Sequence, residues 1–296
     1  MASVSIAIIG LHGSLGQPII DVINSGLFND NLKFPIKVLS RKGVESSNDK
    51  FQYIKTEINP ETVDFITSAL SGIDVIVELI PARPDLISTL EKVAENVKPK
   101  LYIPSQFGCD LDRITTIVPG FAPGKTEHSE KLRNFGIKTV DIVTNFFAQP
   151  NSFMYEIVQH LGVDPKEKTV VQIGPLETKV PYTTVEDIAK SVLAVATTTP
   201  IDKLPNKLKI KSDSITYREF IEKYESNNNV KLTIKETLTI EQANKKLHEK
   251  LKQSGGFVYQ DLLFYLHVAG ANGLEYDDKD SQLINPNESI WKWKKY

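Results

Sequence analysis

Three glycines close to the start of the chain have the spacing of a nucleotide-binding turn. Gly10, Gly13 and Gly16 follow the apolar segment Val4–Ile9 and precede a segment with helical spacing. At a strand-to-helix turn, residues without side chains let the backbone approach a pyrophosphate, and the first N–H groups of the helix donate to it. The predicted contacts are Gly10, His12, Gly13, Ser14, Leu15 and Gly16. The imidazole of His12 either hydrogen-bonds a phosphate or points to solvent.

The end of the second predicted strand indicates which dinucleotide the turn prefers. An NAD site usually has Asp or Glu there, which holds the ribose 2′-hydroxyl. This chain has Ser40, Arg41 and Lys42 instead. Because no carboxylate would repel a 2′-phosphate and Arg41 can fork onto its oxygens, we expect NADP(H) as the cofactor. The alternative is a solvated basic pair that follows a strand.

Lys125 is the candidate catalytic residue. It follows Pro123 and Gly124 at the predicted start of a helix, where the positive end of the helix dipole should lower the pKa of a lysine toward a range useful for acid–base chemistry. The carboxylates of Glu127 and Glu130 oppose this lowering. The alternative is a surface lysine in an acid-rich helix.

These residues require a sheet whose strands end at one edge. In the first half of the chain, β-branched runs alternate with amphipathic segments, the pattern of a parallel sheet covered by helices. Strands are predicted at 4–9, 36–39, 51–54, 75–79, 101–103 and 139–143, and helices at 14–25, 60–69, 83–96 and 126–135. The predicted fold class is α/β, a Rossmann-type doubly wound parallel sheet with a smaller C-terminal α+β substrate lobe.

The alternation of strands and helices ends near residue 150. Beyond it we predict helices at 151–161, 185–196, 217–224, 240–252 and 259–270, strands at 169–173 and 207–210, and a turn at 226–229. The predicted domains are an NADP-binding domain over 1–150, to which 180–212 return, and a substrate-binding lobe over 151–296.

Composition excludes several classes of function. The 296 residues carry 35 Lys+Arg and 37 Asp+Glu, so no strong field attracts nucleic acid. Cys109 is the single cysteine and the five histidines are scattered, which argues against a metal site. No apolar run approaches the roughly 20 residues that span a bilayer, and the first residues lack the basic start of a signal peptide. We expect a cytoplasmic protein with a small-molecule substrate.

Four features together resemble the isoflavone-reductase-like, NmrA-type branch of the atypical short-chain dehydrogenases. They are the glycine turn, the pair Ser40-Arg41, residues 102–108 and Lys125 eleven residues before Gly136. The resemblance is best over the first 150 residues, and 145–148 and 182–189 are similar to later segments of that family.

This resemblance implies a Rossmann domain that binds NADPH and a reductase that acts on an aromatic or quinone-like molecule. Lys125 is expected beside the nicotinamide. Further cofactor contacts are expected from Pro104, Ser105, Phe107 and Phe146. For Ser105, a role in capping the turn is the alternative.

The chain departs from the family pattern at two places and from the pattern of a typical short-chain dehydrogenase at a third. Gln106 stands where the family usually has Glu, residues 78–81 replace smaller residues, and Phe121 stands where a typical short-chain dehydrogenase has its tyrosine. Because phenylalanine cannot donate a proton, either Lys125 or a water that it holds completes the chemistry, or the chain binds NADPH without turning it over. The second case predicts a cofactor-sensing regulator with a protein partner.

Overall fold

Five parallel strands form the largest sheet of the computed structural model, which describes residues 3–41, 48–148 and 161–295. The strands are β1 (Val4–Ile9), β2 (Leu32–Ser40), β3 (Phe51–Lys55), β4 (Val75–Glu78) and β5 (Leu101–Ile103). Their order is β3-β2-β1-β4-β5, so the chain changes direction across the sheet between β1 and β4. This doubly wound parallel sheet confirms the predicted fold class.

Helices cover both faces of this sheet. They are α1 (Gly16–Ser25), α2 (Val63–Ala69), α3 (Pro84–Val97) and α5 (Pro123–Asn134). Helix α4 (Leu111–Ile117) instead buries Ile114 in the core of the second half. Ile6 and Ile8 of β1 lie in one hydrophobic core with α1, whereas Ala7 and Ile9 lie in another with α2 and α3. This division follows from the alternation of side chains along a strand that is buried on both faces.

The predicted sixth strand of the sheet divides between two partners. Residues 138–140 bond to Tyr102 of β5, but β6 (Asp141–Val143) pairs with β11 (Lys207–Lys209) in a separate two-stranded sheet. The strand predicted at 139–143 is therefore present, but only its first residues extend the five-stranded sheet. The N–H of Asp141 donates to the carbonyl of Asn206 at 2.9 Å, which commits the strand to β11.

The second half contains two three-stranded sheets. Their strands are β7 (Phe146–Ala148), β10 (Lys179–Thr184) and β12 (Asp213–Thr216) in one, and β8 (Val163–Asp164), β9 (Thr169–Ile173) and β13 (Thr233–Leu238) in the other. The helices are α6 (Val185–Thr197), α7 (Tyr217–Asn228), α8 (Ile240–Ser254), α9 (Leu262–Ala271) and α10 (Lys279–Ile284). The predicted helix at 151–161 falls almost wholly outside the described residues. Among the helices described here, none combines the length and apolar character needed to cross a bilayer.

One predicted turn of the second half is a helix instead. Helix α7 continues through Asn228, and Asn229 ends it in the left-handed conformation at φ 50°. Asparagine adopts that conformation readily, so the polar run at 226–229 is the last turn of a helix and its cap.

Helix α6 packs against α1 of the first half. Its residues Ile188 and Val192 are buried in the same core as Ile6 and Ile8. This contact is the one expected if 180–212 return to the N-terminal part of the fold. The division into domains at residue 150 remains a prediction.

His267 of α9 should make the protein sensitive to acid. Its side chain is 4% exposed, its ring stacks on Tyr217 with centroids 5.8 Å apart, and burial lowers its pKa to about 4 from an ordinary 6.5. Between these two values the unfolded chain binds a proton that the native chain does not. Stability is therefore complete above pH 6.5 and falls by about 3 kcal/mol as the pH drops to 4.

Urea denaturation across this pH range measures the effect. His267→Gln should flatten the loss of unfolding free energy, whereas His248→Gln, which removes an exposed histidine of α8, should leave it unchanged. An unaltered pH dependence in His267→Gln would contradict the assignment.

Candidate functional site

A cleft of about 660 Å³ opens at the carboxyl ends of β1, β2 and β4. It lies at the point where the strand order reverses, which is the usual binding position in open α/β sheets. Gly10, His12, Gly13, Ser40 and Arg41 line it, so the structure brings together the two motifs that the sequence analysis placed 28 residues apart. Ser14, Leu15 and Gly16 continue the turn into α1.

The three glycines of the turn differ in how much space a side chain would have at each position. Gly10 has φ +96°, and a Cβ there would lie 2.6 Å from Cγ2 of Ile80. A Cβ on Gly16 would lie 1.8 Å from the carbonyl oxygen of Leu11. A Cβ on Gly13, by contrast, would meet its nearest atom at 3.5 Å, an ordinary contact. The fold itself therefore requires Gly10 and Gly16, whereas the space around Gly13 would admit a side chain.

The turn offers backbone donors to an anion. The N–H groups of Gly13 and Gly16 close the turn on the carbonyls of Gly10 and Gly13, at 3.1 and 3.0 Å. The hydrogen bonds within the described ranges use none of the N–H groups of His12, Ser14 and Leu15. These groups precede α1, whose N-cap Leu15 makes no side-chain cap, so the helix end is suited to a phosphate.

His12 and Ser40 join the two walls of the cleft. Nε2 of His12 lies 3.1 Å from Oγ of Ser40, while the imidazole remains exposed. Arg41 follows Ser40 at the end of β2 and is also exposed. Lys42 lies outside the described residues, so its contact with a phosphate stays a prediction.

The cleft has charged groups that the sequence analysis did not name. Arg83, which precedes α3, bonds to both carboxylate oxygens of Asp85, and Glu57 follows β3. Both segments reach the cleft because β3 and β4 end at the same edge as β1. Their distance along the chain from the glycine turn gave no signal of this.

Lys125 lies in the first turn of α5, as predicted, and is partly exposed. Burial lowers its pKa, and the charges of Glu78 and Asp141 oppose the lowering. The direction agrees with the expectation from the sequence, but the main cause is burial, and the opposing carboxylates are not Glu127 and Glu130. No hydrogen bond or ion pair found among the described residues uses its Nζ.

Gln106 fixes the backbone of Lys125. Its Nε2 donates to the carbonyl oxygen of Lys125 and, at 2.7 Å, to Oγ of Ser129. Ser129 in turn donates to Asp141 at 2.7 Å, and Arg133 holds the other oxygen of that carboxylate at 2.6 Å. An amide can supply both bonds, whereas a carboxylate has no hydrogen to donate, so the departure from the family's glutamate has a structural reason.

Gln106→Glu should therefore destabilise the protein. A buried carboxylate would face a carbonyl oxygen, at a cost of about 1 to 3 kcal/mol. The free energy of unfolding in urea measures this cost, with the exposed Gln253→Glu on α8 as the control. Equal stability of both variants would show that the amide donor is unimportant.

The turn after β5 approaches the site from the next strand. Pro104 and Phe107 are buried and Ser105 is partly exposed, at the same edge of the sheet as the cleft. Phe146 is the first residue of β7 and is 3% exposed in the second core. None of the four lines the cleft described above, and their contacts with a cofactor stay predictions. Phe121 packs edge-on against Phe257, with ring centroids 5.3 Å apart. As a phenylalanine, it offers no hydroxyl at the position of the short-chain dehydrogenase tyrosine.

A buried charged array beside Lys125 was missed by the sequence analysis. His128 of α5 is 3% exposed and lies between two carboxylates: its Nε2 is 3.0 Å from Glu78 and its Nδ1 is 3.1 Å from Glu91. The hydroxyl of Tyr102 donates to Glu78 at 2.9 Å, and Lys131 contacts Glu91 at 2.6 Å. We call these five residues the Glu78 array. Its members come from β4, β5, α3 and α5, and only the folded sheet brings them together.

The strand order, the glycine turn and the cleft at the switch point define a Rossmann-type doubly wound fold. No family model matches the sequence, and a comparison with curated proteins finds no match. The fold is nevertheless shared with solved structures over most of the chain.

Three of these structures illustrate the range of sequence identity and structural similarity. An isoflavone reductase is 19% identical with a TM-score of 0.67, covering 94% of this chain and 92% of that one. AtPrR2 with NADP⁺ and (+)-pinoresinol is 16% identical with a TM-score of 0.70, covering 98% and 96%. A double mutant of NmrA is 13% identical with a TM-score of 0.58, covering 80% and 74%. The resemblance found in the sequence is thus confirmed at the level of the fold.

Proposed function

We propose that the cleft binds NADP(H). The observation that carries this proposal is that the glycine turn and Arg41 line one cavity at the switch point of the sheet. Free N–H groups at the start of α1 suit the pyrophosphate, and the guanidinium of Arg41 suits the 2′-phosphate. A neighbour with the same fold, AtPrR2, has been solved with NADP⁺.

The rest of the cleft suits the adenosine half of this cofactor. Apolar side chains on the ends of the strands and on the loops that follow them offer surfaces for the adenine ring: Leu39, Ile58, Leu79 and Ile80. Glu57 supplies an acceptor for the adenine amino group, and Arg83 neutralises the nearby Asp85. The nicotinamide half would then extend from β4 toward the end of β5, where α5 begins.

The proposed activity is reduction of a small aromatic, quinone-like or enone substrate. When bound, reduced nicotinamide supplies the hydride. Lys125, at the start of α5, would hold the oxyanion that develops on the substrate and give it a proton. The absence of a tyrosine at position 121 leaves this lysine, or a water bound to it, as the proton donor.

The activity is tested with the purified protein, NADPH and a panel of quinones, enones and phenylpropanoid-like compounds. Loss of the absorbance of reduced nicotinamide that requires both protein and substrate is the expected result. Tight binding of NADPH with no oxidation by any member of the panel would count against a reductase.

Arg41→Asp should abolish the cofactor preference. The substitution removes a charge-assisted contact and places a carboxylate near the 2′-phosphate, so NADPH should bind roughly 100-fold more weakly, while NADH binding changes little. Calorimetric titration of both cofactors measures the change. Arg218→Asp, at an exposed arginine of α7 outside the cleft, is the control. Unchanged NADPH affinity in Arg41→Asp would remove Arg41 from the site.

A second candidate is an NADP(H)-sensing regulator. Two observations favour it: Phe121 in place of a tyrosine, and the fold shared with NmrA. A sensor would bind NADP⁺ and NADPH with affinities that respond to a protein partner and would not oxidise NADPH. Substrate-dependent oxidation that is lost in Lys125→Met decides for the reductase.

A further inference from the structure

We propose that Glu78 is the counter-ion of Lys125. Tyr102 and His128 hold its carboxylate, and Glu78 acts as a positioning residue that keeps the lysine charged. This inference rests on the role proposed above for Lys125 and adds the group that maintains its charge. Glu78 is the last residue of β4, and the residues that follow it, Leu79 and Ile80, line the cleft beside Gly10.

The geometry of α5 brings the two groups together. Lys125 and His128 are three residues apart, so they are neighbours on one face of the helix. Because Nε2 of His128 lies 3.0 Å from Oε2 of Glu78, the carboxylate reaches that face one turn from Lys125. Tyr102 donates to the same oxygen at 2.9 Å, which fixes the carboxylate from the side of β5.

The hydrogen bonds of His128 determine the charge of the array. Each ring nitrogen faces a carboxylate oxygen, and a carboxylate only accepts, so the ring donates from both nitrogens as an imidazolium. Burial by itself would lower the pKa of His128, but the hydrogen bonds and charges of Glu78 and Glu91 outweigh it and raise that pKa. Glu78 and Glu91 thus both accept from one buried ring.

Counting charges shows that the buried members of the array do not balance one another. Two carboxylates and one imidazolium leave the buried part of the Glu78 array with a net charge of −1. Lys131 contacts Glu91, but its side chain is 53% exposed, so water screens its charge. Although no ion pair among the described residues uses its Nζ, Lys125 lies one helical turn from His128, and its ammonium is the cation that we assign to the remaining balance.

The other groups that face Lys125 are less suited to this role. Asp141 of β6 is already paired with Arg133 at 2.6 Å. Burial raises the pKa of the Cys109 thiol to about 12, so the thiol is neutral near pH 7. Burial lowers the pKa of Lys125, and the charge of Glu78 is the largest effect that opposes it.

Competitive acetylation tests the inference without cofactor or substrate. Wild type and Glu78→Gln are labelled with trace acetic anhydride over a range of pH, and the peptide that contains Lys125 is quantified by mass spectrometry. Loss of the counter-ion should increase the neutral amine, and hence labelling at mildly alkaline pH, roughly tenfold. Glu130→Gln, at an exposed glutamate of the same helix, should label like wild type. Wild-type labelling in Glu78→Gln would overturn the proposal.

A second measurement uses the wild-type protein, in case Glu78→Gln does not fold. With histidine labelled at Cε1, the His128 resonance, assigned by its absence in His128→Gln, should report a ring that stays doubly protonated above the ordinary histidine range. A ring that titrates at or below that range would also overturn the proposal. Neither experiment involves NADPH, so their failure is distinct from failure of the proposed reductase.

Discussion

Lys125→Met should abolish turnover while leaving NADPH bound. Methionine matches the length and apolar stem of lysine but can neither stabilise an oxyanion nor donate a proton. General acid catalysis by a positioned group contributes roughly 10² to 10⁴ in rate, and we expect a loss of kcat in that range. The Kd for NADPH should change by less than a few-fold, because Lys125 does not line the cleft formed by the glycine turn and Arg41.

The measurement pairs steady-state NADPH oxidation with calorimetric titration of the same preparations. Lys100→Met, which removes an exposed lysine paired with Asp74, should retain both turnover and affinity. Full turnover by Lys125→Met on a substrate that wild type reduces would eliminate the catalytic role. A parallel loss of NADPH affinity would show that the lysine acts in binding instead.

Alanine substitutions at two glycines of one turn should affect different properties: stability at Gly16 and NADPH affinity at Gly13. In Gly16→Ala the new Cβ would lie 1.8 Å from the carbonyl oxygen of Leu11, a backbone atom. The turn cannot accommodate it without moving β1 away from α1, so we expect a loss of more than about 4 kcal/mol in unfolding free energy. In Gly13→Ala the nearest atom is at 3.5 Å, and stability should change by less than about 1 kcal/mol.

The variant that folds should nevertheless lose its ligand. Residue 13 lines the cleft where we place the pyrophosphate, so a methyl group there would reduce the space for it, and we expect the NADPH affinity to fall roughly 100-fold. Urea denaturation and NADPH titration of both variants give the two readouts. A Gly13→Ala protein with wild-type stability and wild-type affinity would mean that the phosphate does not pass this turn.

Local signals in the sequence were sufficient to predict much of the secondary structure in the first half of the chain. The strand Val4–Ile9 is found as predicted because an apolar run followed by a glycine turn has few alternatives. Asn59 caps the helical segment that begins at Pro60, as Asn-Pro-Glu indicates, with its side chain accepting from Glu61 at 3.0 Å. Both features depend on residues close together in the chain.

Features that depend on distant residues were not accessible in this way. His128 lies 50 residues from Glu78 and 37 from Glu91. The pattern of neighbouring residues therefore could not identify the partners of this histidine. The same reason hid the second arginine of the cleft, Arg83. The strands β10, β12 and β13 lie where the alternation of strands and helices along the chain has ended, and they gain their partners only through tertiary pairing.

The central claim is tested most directly by titrating the wild-type protein with NADPH and NADH in a calorimeter. A cleft built from the glycine turn and Arg41 predicts one NADPH per chain and a preference over NADH of roughly 100-fold, the value of one charge-assisted phosphate contact. Equal affinities for the two cofactors would contradict the assignment of Arg41. Absence of binding would contradict the NADP(H) site, and with it the proposed reductase.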